Sequence, residues 1–155
     1  MENNTLSQLS WELSFLHGGI LICLAFLLMM IAHTDWKKFI IPNRFLGYLL
    51  GLGIFWQFFS SAPWNESLSG ALLSGIVALA LKYTLGVLLK REALGWGDVK
   101  LMAIGGLWVG LSALPLFWIT GGLLGILAAI PGWRNKKEYF PLGPALCGAI
   151  AVCLL

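Results

Sequence analysis

Charged residues are scarce in this chain. They make up 11% of its 155 residues, whereas 59% are hydrophobic, and the mean hydropathy is +0.85. So few polar side chains cannot cover the surface of a soluble globule of this length. The composition excludes an ordinary soluble domain and predicts a protein that lies in a lipid bilayer.

Motifs for metals, disulfides and nucleic acids are also missing. Cys23, Cys147 and Cys153 stand singly in apolar runs without a CxxC or a Cys/His cluster, so we expect neither a bound metal nor a disulfide framework. The net charge is only +3, and a nucleic-acid interface would gather more positive charge on one face. The first 36 residues contain no Lys or Arg. A cleavable signal peptide is therefore not expected, and the first apolar run is predicted to be retained as a helix.

Long apolar runs dominate the rest of the chain. A helix needs about 20 mostly apolar residues to cross a bilayer, and the runs do not alternate as the strands of a membrane barrel would. They predict an all-α, polytopic membrane bundle of about six transmembrane helices, forming a single domain over residues 1–155. The predicted segments are 14–34, 45–60, 67–89, 99–112, 115–131 and 142–155. The fourth and sixth are short, so we expect them to extend into flanking residues or to lie where the bilayer is thin.

The basic residues predict how this bundle is oriented. They fall in alternate connections, and the opposite connections contain no Lys or Arg. By the positive-inside rule, connections 35–44, 90–98 and 132–141 are cytoplasmic, and both termini are non-cytoplasmic. Lys82, within the third segment, is expected to snorkel to the same side. The basic residues of these connections are Lys37, Lys38, Arg44, Lys90, Arg91, Arg134, Lys136 and Lys137.

Three glycine pairs have the GxxxG spacing that lets helix backbones approach closely. With 19 glycines in the chain, such pairs also arise by chance, so the spacing is only a weak indication of a tightly packed bundle. The pairs are Gly47 with Gly51, Gly106 with Gly110, and Gly121 with Gly125.

The two aspartates, Asp35 and Asp98, are the candidate catalytic residues. Asp35 ends the first segment in IAHTDWKKFIIPN, and Asp98 opens the fourth in GWGDVKLMAIGG, so the predicted topology places both at one membrane face. An aspartate deep in a membrane helix costs about 2.5–3.5 kcal/mol and is usually functional. The five glutamates, including Glu66, lie in tails or connections and are expected to be solvated. His33 points to a different helix face from Asp35 and, like His17, is predicted to be a packing or interface residue.

A pair of carboxyl groups suits peptide hydrolysis. Two carboxylates about 3 Å apart cannot both ionise, so they share one proton. The ionised group can draw a proton from water while the protonated group polarises the peptide carbonyl, without a metal or a covalent intermediate. Gly95 and Gly97 supply backbone freedom and close approach beside Asp98, and Pro42 bends the chain after Asp35. The alternative for each aspartate alone is an interfacial ion pair or a helix cap.

At these residues the chain resembles the type IV prepilin peptidases, intramembrane aspartic peptidases with a GxGD motif. The resemblance covers DWKKFIIPN (35–43), GWGDVKLMAIGG (95–106) and FPLGPAL (140–146), which is similar to a P-F-G-P stretch in that family. It implies a multi-pass endopeptidase of the bacterial inner membrane that cleaves the basic leader of prepilin or pseudopilin precursors at the cytoplasmic face. Asp35 and Asp98 match the catalytic pair that activates water, and no cofactor is implied.

The chain also departs from that family. Many bacterial members have an additional N-terminal part with paired CxxC motifs and methylate the new N-terminus with S-adenosylmethionine. Nothing in this sequence corresponds to that part, so we expect cleavage without methyltransferase activity. PLGP in place of PFGP is a mild change at an apolar position. How the basic leader is held is not specified by these residues unless Glu92 or Glu138 assists.

Two other functions remain open. A catalytically degenerate relative would bind pilin-like segments without cleaving them, and a small transporter subunit would also be a membrane bundle. A transporter places its polar groups near the bilayer midplane, whereas both aspartates are predicted at one rim. Neither the precursor nor the oligomeric state is specified by these residues.

Overall fold

Helices make up nearly all of the structure. It is a computed structural model that describes residues 2–60, 63–90, 94–134 and 142–154. The helices in these ranges are α1 (Glu2–Lys38), α2 (Asn43–Phe59), α3 (Trp64–Leu89), α4 (Trp96–Val109), α5 (Leu114–Arg134) and α6 (Gly143–Leu154). No strand occurs in the ranges described, so the all-α class is confirmed there, and each predicted segment corresponds to one helix.

The helices differ from their predicted bounds by up to twelve residues, and most in α1 and α4, because apolarity alone does not end a helix. α1 covers Glu2–Lys38 instead of 14–34, since residues 2–13 contain neither Gly nor Pro and can continue the helix although they are polar. α4 covers Trp96–Val109 instead of 99–112, because Gly110 at its end has φ 75°. Glycine adopts a positive φ without steric cost, and this one interrupts the helix. Asp35 and Asp98 both therefore lie inside helices.

α4 and α6 occupy the middle of the bundle. α4 contacts α2, α3, α5 and α6, and α6 contacts α1, α4 and α5. Trp108 of α4 is buried and donates a hydrogen bond of 3.1 Å from Nε1 to the carbonyl oxygen of Leu49 in α2. The two shortest helices are thus enclosed by longer ones, which lets them carry polar groups away from the outer surface.

α3 and α4 meet through their backbones. A Cβ atom on Gly70 would lie 2.5 Å from the carbonyl oxygen of Gly106, and one on Gly106 would lie 2.7 Å from Cβ of Ser74. Ser74 is buried and donates a 2.8 Å hydrogen bond to the carbonyl oxygen of Met102. Neither glycine has room for a side chain, so this crossing fixes how α4 lies against α3.

The GxxxG spacing identified only part of this packing. Gly106 is packed closely, but its partner in the motif, Gly110, ends the helix instead. A Cβ atom on Gly47 or Gly51 would meet nothing within 4 Å, so that pair makes no close helix contact. Gly106 contacts Gly70 on another helix, and the spacing of glycines within one helix does not reveal such a partner.

We expect Gly106→Ala to destabilise the bundle. The added methyl group would collide with backbone atoms of Gly70, which cannot move aside as a flexible side chain can, and overpacking of this kind costs about 1–3 kcal/mol. Unfolding in detergent, followed by circular dichroism, measures the change. Gly47→Ala is the matched control, because a methyl group there meets open space and alanine favours the helix. Equal stability of the two variants would contradict the close crossing.

The outer surface of the bundle is apolar. Large hydrophobic side chains are exposed on several helices, among them Ile22, Phe58 and Val87. Within the described residues, two helical stretches are long and apolar enough to cross a membrane, Phe15–Lys38 and Trp64–Leu88. A helix that is hydrophobic on all sides is typical of a membrane span. These features support the predicted membrane location, while the number of spans and the orientation of the termini stay predictions.

Candidate active site

Asp35 lies near the end of α1 and faces inward. Its side chain is 5% exposed, whereas His33, two residues earlier, is exposed. The helix ends one turn later at Phe39, whose φ of 52° is left-handed and whose N–H donates to the carbonyl oxygen of Asp35 at 2.8 Å. Lys37 and Lys38 occupy the last turn, where positive charge is favourable. The helix end therefore holds Asp35 against the interior while the basic residues face outward.

Gly143, the first residue of α6, binds the Asp35 carboxylate. Its N–H donates a buried hydrogen bond of 2.9 Å to Oδ2 of Asp35. The N–H groups of the first helical turn have no partner within the helix, and the helix dipole there favours negative charge. Pro144 follows, and its missing N–H is tolerated in a first turn. The third sequence block, of which residues 140 and 141 lie outside the described ranges, thus supplies a hydrogen-bond donor for Asp35.

Asp98 lies in the first turn of α4, three residues after the N-cap Gly95. Its carboxyl group accepts a hydrogen bond from the Gly95 N–H, an arrangement that resembles half of a capping box. Its Oδ1 atom is buried and has no hydrogen-bond partner among the described residues. A cap requires only one oxygen, so capping alone does not explain this buried carboxyl group. Buried polar atoms without a partner are rare, so Oδ1 is unusual for a carboxyl group that only caps a helix.

The two sequence blocks that carry the aspartates pack against each other. A Cβ atom on Gly97 would lie 3.0 Å from Cβ of Ile41, the residue before Pro42, so glycine is needed here for close approach. Asp35 and Asp98 are near enough for their charges to repel, and the thiol of Cys147 in α6 lies within electrostatic reach of both. The structure therefore brings the two predicted catalytic residues together.

Lys82 of α3 is the residue at this site that the sequence did not identify. It was predicted to snorkel to the side of connection 90–98, and its Nζ does reach that connection, but the residue is only 9% exposed. Its Nζ donates a 2.7 Å hydrogen bond to the carbonyl oxygen of Leu94, lies 5.0 Å from the centre of the Trp96 ring, and interacts electrostatically with Asp98. The spacing of 16 residues between Lys82 and Asp98 gives no indication of this contact, because the α3–α4 connection decides it.

Two of the remaining candidates, His17 and Glu66, lie away from the aspartates. His17 packs edge-on against Trp56 with 5.1 Å between ring centroids, as a packing residue would. Glu66 was predicted to be solvated in a connection, but it lies in the first turn of α3 and accepts a 3.3 Å hydrogen bond from the N–H of Ser112. Glu92 and Glu138, the candidates to assist in holding a leader, lie outside the described residues.

Several known proteins with similar sequences are named as leader peptidases of prepilins. The sequence pattern of the type IV leader peptidase family matches residues 21–130. The chain is 32% identical over 142 residues to a prepilin leader peptidase/N-methyltransferase of Neisseria gonorrhoeae, covering 90% of this chain and 48% of that protein. It is also 32% identical over 126 residues to a protein of the same name from Pectobacterium carotovorum, covering 77% of this chain and 43% of that protein.

A third relative has a different name. The chain is 32% identical over 118 residues to a type 4 prepilin-like proteins leader peptide-processing enzyme of Escherichia coli O78:H11, covering 74% of this chain and 44% of that protein. The chain spans about half the length of the relatives it matches. No solved structure matches it. The names of the first two relatives include a methyltransferase activity as well as the peptidase.

Proposed function

Because the chain belongs to the type IV leader peptidase family, we propose that it is an intramembrane aspartic endopeptidase that removes the basic leader from prepilin or pseudopilin precursors. The observation that supports this most directly is the meeting of Asp35 and Asp98 from α1 and α4, with one carboxylate oxygen buried and unpartnered among the described residues. An interfacial ion pair would place a cation within hydrogen-bond distance of Asp35, which instead accepts a hydrogen bond from the Gly143 N–H. The proposed reaction needs neither a metal nor a cofactor.

The pair is proposed to act as one acid–base unit. Together the carboxyl groups hold one proton, so the ionised group takes a proton from water while the protonated group donates a hydrogen bond to the scissile carbonyl. Water adds to the carbonyl carbon, the proton moves to the leaving amide nitrogen, and the C–N bond breaks. Gly143 and Gly95 fix the carboxyl groups through their N–H groups, which leaves Oδ1 of Asp98 to contact the reacting atoms.

The site is proposed to face the cytoplasm. Asn43 at the start of α2 accepts a 3.0 Å hydrogen bond from Lys100 near the start of α4, and Gly143 at the start of α6 binds Asp35 near the end of α1. The starts of α2, α4 and α6 therefore share one end of the bundle with both aspartates, and each of these helices follows a connection rich in Lys and Arg. The positive-inside rule assigns that end to the cytoplasm, in the bacterial inner membrane.

An apolar cleft leads to this site and is proposed to receive the hydrophobic segment of the precursor. It has a volume of about 360 Å³ and is lined by residues of α3, α4, α5 and α6, which suits apolar side chains but not a whole helix. Two of its lining residues, Leu94 and Leu142, directly precede the residues whose N–H groups bind Asp98 and Asp35. A precursor helix that lies against the bundle, with apolar side chains in the cleft, would place the start of its apolar stretch beside Asp35 and Asp98.

The purified chain in detergent or lipid should cleave a pilin-type precursor at the boundary between its basic leader and its apolar segment. Mass spectrometry of the product gives the bond that is cut. With S-adenosylmethionine added, we expect no methylated product, because these 155 residues contain no CxxC motif.

A photo-crosslinking residue at Leu81, which lines the cleft, should capture the precursor, whereas one at Ile22, an exposed residue of α1, should not. Crosslinking without cleavage would indicate a degenerate, binding-only relative.

A further inference from the structure

Lys82 is a buried cation within the bundle, and burial of this kind needs an explanation. Lysine in an apolar interior is costly unless its ammonium group is paired or hydrogen-bonded. A lysine that only snorkels places its charge in water, but the side chain of Lys82 is 9% exposed. Its Nζ instead reaches the carbonyl oxygen of Leu94 at 2.7 Å. The ammonium group is therefore directed at the segment that carries Asp98.

Two contacts of Lys82 hold that segment from both sides of Gly95. Leu94, itself buried, accepts the hydrogen bond from Nζ, and the Trp96 ring lies beneath the ammonium group, with 5.0 Å from Nζ to the ring centroid. A cation over an indole ring is attracted to it, and indole is the best aromatic partner for a cation. Gly95, between them, donates the hydrogen bond to Asp98. Fixing residues 94 and 96 thus fixes the donor that orients the aspartate.

The charge of Lys82 also suits the chemistry of the pair. Two carboxyl groups that share one proton carry one negative charge, and a buried negative charge is stabilised by a nearby cation. Lys82 interacts electrostatically with Asp98. The basic residues at the end of α1, Lys37 and Lys38, are exposed, so solvent screens their charges.

We propose that Lys82 is a positioning residue for Asp98: its ammonium group fixes the 94–96 segment through the Leu94 carbonyl and the Trp96 ring, and it supplies the counter-charge for the aspartate pair. The role in catalysis rests on the proposed peptidase function, whereas the role in holding the segment does not. Lys82 contacts neither water nor precursor in this scheme, so its removal should affect the rate of the bound complex more than substrate binding.

Three substitutions separate the charge from the hydrogen bond. Lys82→Met keeps the length of the apolar stem but has neither donor nor charge, Lys82→Gln keeps a donor without a charge, and Lys82→Arg keeps both. We expect kcat to fall by about 10-fold or more in the Met and Gln variants, because both lose the charged group that fixes the segment. KM should change little, and the Arg variant should recover most of the rate. Lys90 is an exposed lysine at the end of α3, and the control variant Lys90→Met should cleave at the wild-type rate.

Hydrogen exchange measures the positioning role without relying on cleavage. Exchange of the backbone amides of residues 94–100 should be faster in Lys82→Met than in the wild type and restored in Lys82→Arg, with no change in α1 and α2. If the wild-type chain does not cleave any precursor, the peptidase proposal fails, but this exchange result still decides whether Lys82 holds the segment. The Lys82 proposal is overturned by unchanged exchange at residues 94–100, by an unchanged kcat in Lys82→Met, or by wild-type activity in Lys82→Gln.

Discussion

Asp35→Asn and Asp98→Asn should each reduce kcat/KM for precursor cleavage by about 1,000-fold. An amide can neither take a proton from water nor share one with its neighbour, and general acid–base catalysis contributes about 10²–10⁴-fold. Asparagine has nearly the same shape as aspartate, and at position 35 its carbonyl oxygen can still accept the N–H of Gly143, which donates to Oδ2 in the wild type. The fold should therefore persist, and initial rates followed by separation of precursor and product on gels measure the loss.

The double variant gives a sharper result. Because the pair works as one unit, removing the second carboxyl group should reduce the rate little beyond the first loss. His33→Gln is a control for position, since His33 lies two residues from Asp35 but is exposed. Glu66→Gln is a control for chemistry, since it removes a carboxylate of α3 that lies near the C-terminal end of α4, far from the aspartates. Its amide oxygen can still accept the Ser112 N–H. Both controls should remain near the wild-type rate.

One outcome would remove a residue from the catalytic pair. If the Asp98→Asn variant, with wild-type unfolding behaviour, processed the precursor at more than about a tenth of the wild-type rate, its effect would be smaller than the usual contribution of an acid–base group. The same holds for Asp35. Loss of activity together with loss of folding would instead indicate that the carboxyl groups are structural, which the circular dichroism of each variant would reveal.

The sequence was sufficient to predict the helices and the two aspartates. Apolar runs long enough to form spans follow from composition, and an aspartate between apolar runs is conspicuous because so few charged residues are present. The outcome of that prediction is structural: Asp35 and Asp98 approach each other, but their catalytic role stays a prediction. The helices and the two aspartates could be identified from the sequence because both depend only on residue types and on their neighbours along the chain.

The parts that sequence did not reveal all depend on contacts between helices. Lys82 looked like a snorkelling lysine because its distance along the chain from the basic connection was short, whereas its direction depends on how α3 crosses α4. That crossing is set by Gly70 and Gly106, two glycines on different helices that no single-helix spacing connects. The predicted ends of α1 and α4 were also wrong. Gly110 ends α4 with a positive φ, and polar residues extend α1 towards the N-terminus.

The third sequence block illustrates the same limit at the site itself. Residues 140–146 were identified by their resemblance to a P-F-G-P stretch of the family, but the sequence did not indicate the role of Gly143. In the structure Gly143 donates to Asp35, and a Cβ atom on it would lie 2.7 Å from Oδ2 and 3.0 Å from Cβ and Cγ of that aspartate. Glycine is therefore needed at this position because a side chain would displace the carboxylate that the backbone N–H holds.

Gly143→Ala should therefore reduce cleavage by about 100-fold even though no titratable group is changed. The methyl group cannot coexist with Asp35 in its present position, and Asp35 is buried in a helix, so the carboxyl group must shift and its hydrogen bond to α6 must lengthen or break. A displacement of about 1 Å in a catalytic group costs about 10²-fold in rate. Single-turnover rates with saturating precursor measure this loss directly.

Two controls distinguish displacement of Asp35 from general damage. Gly148→Ala lies on the same helix, and its methyl group would meet only the end of the Leu124 side chain at 3.0 Å, which can move aside, so near-normal cleavage is expected. Gly47→Ala adds the same methyl group in α2, where it meets nothing within 4 Å, and should also cleave at a near-normal rate. If Gly143→Ala were folded and as active as these two, the α6 N-terminus would not position Asp35. A selective loss in Gly143→Ala would show that the third block acts by holding the carboxylate in place.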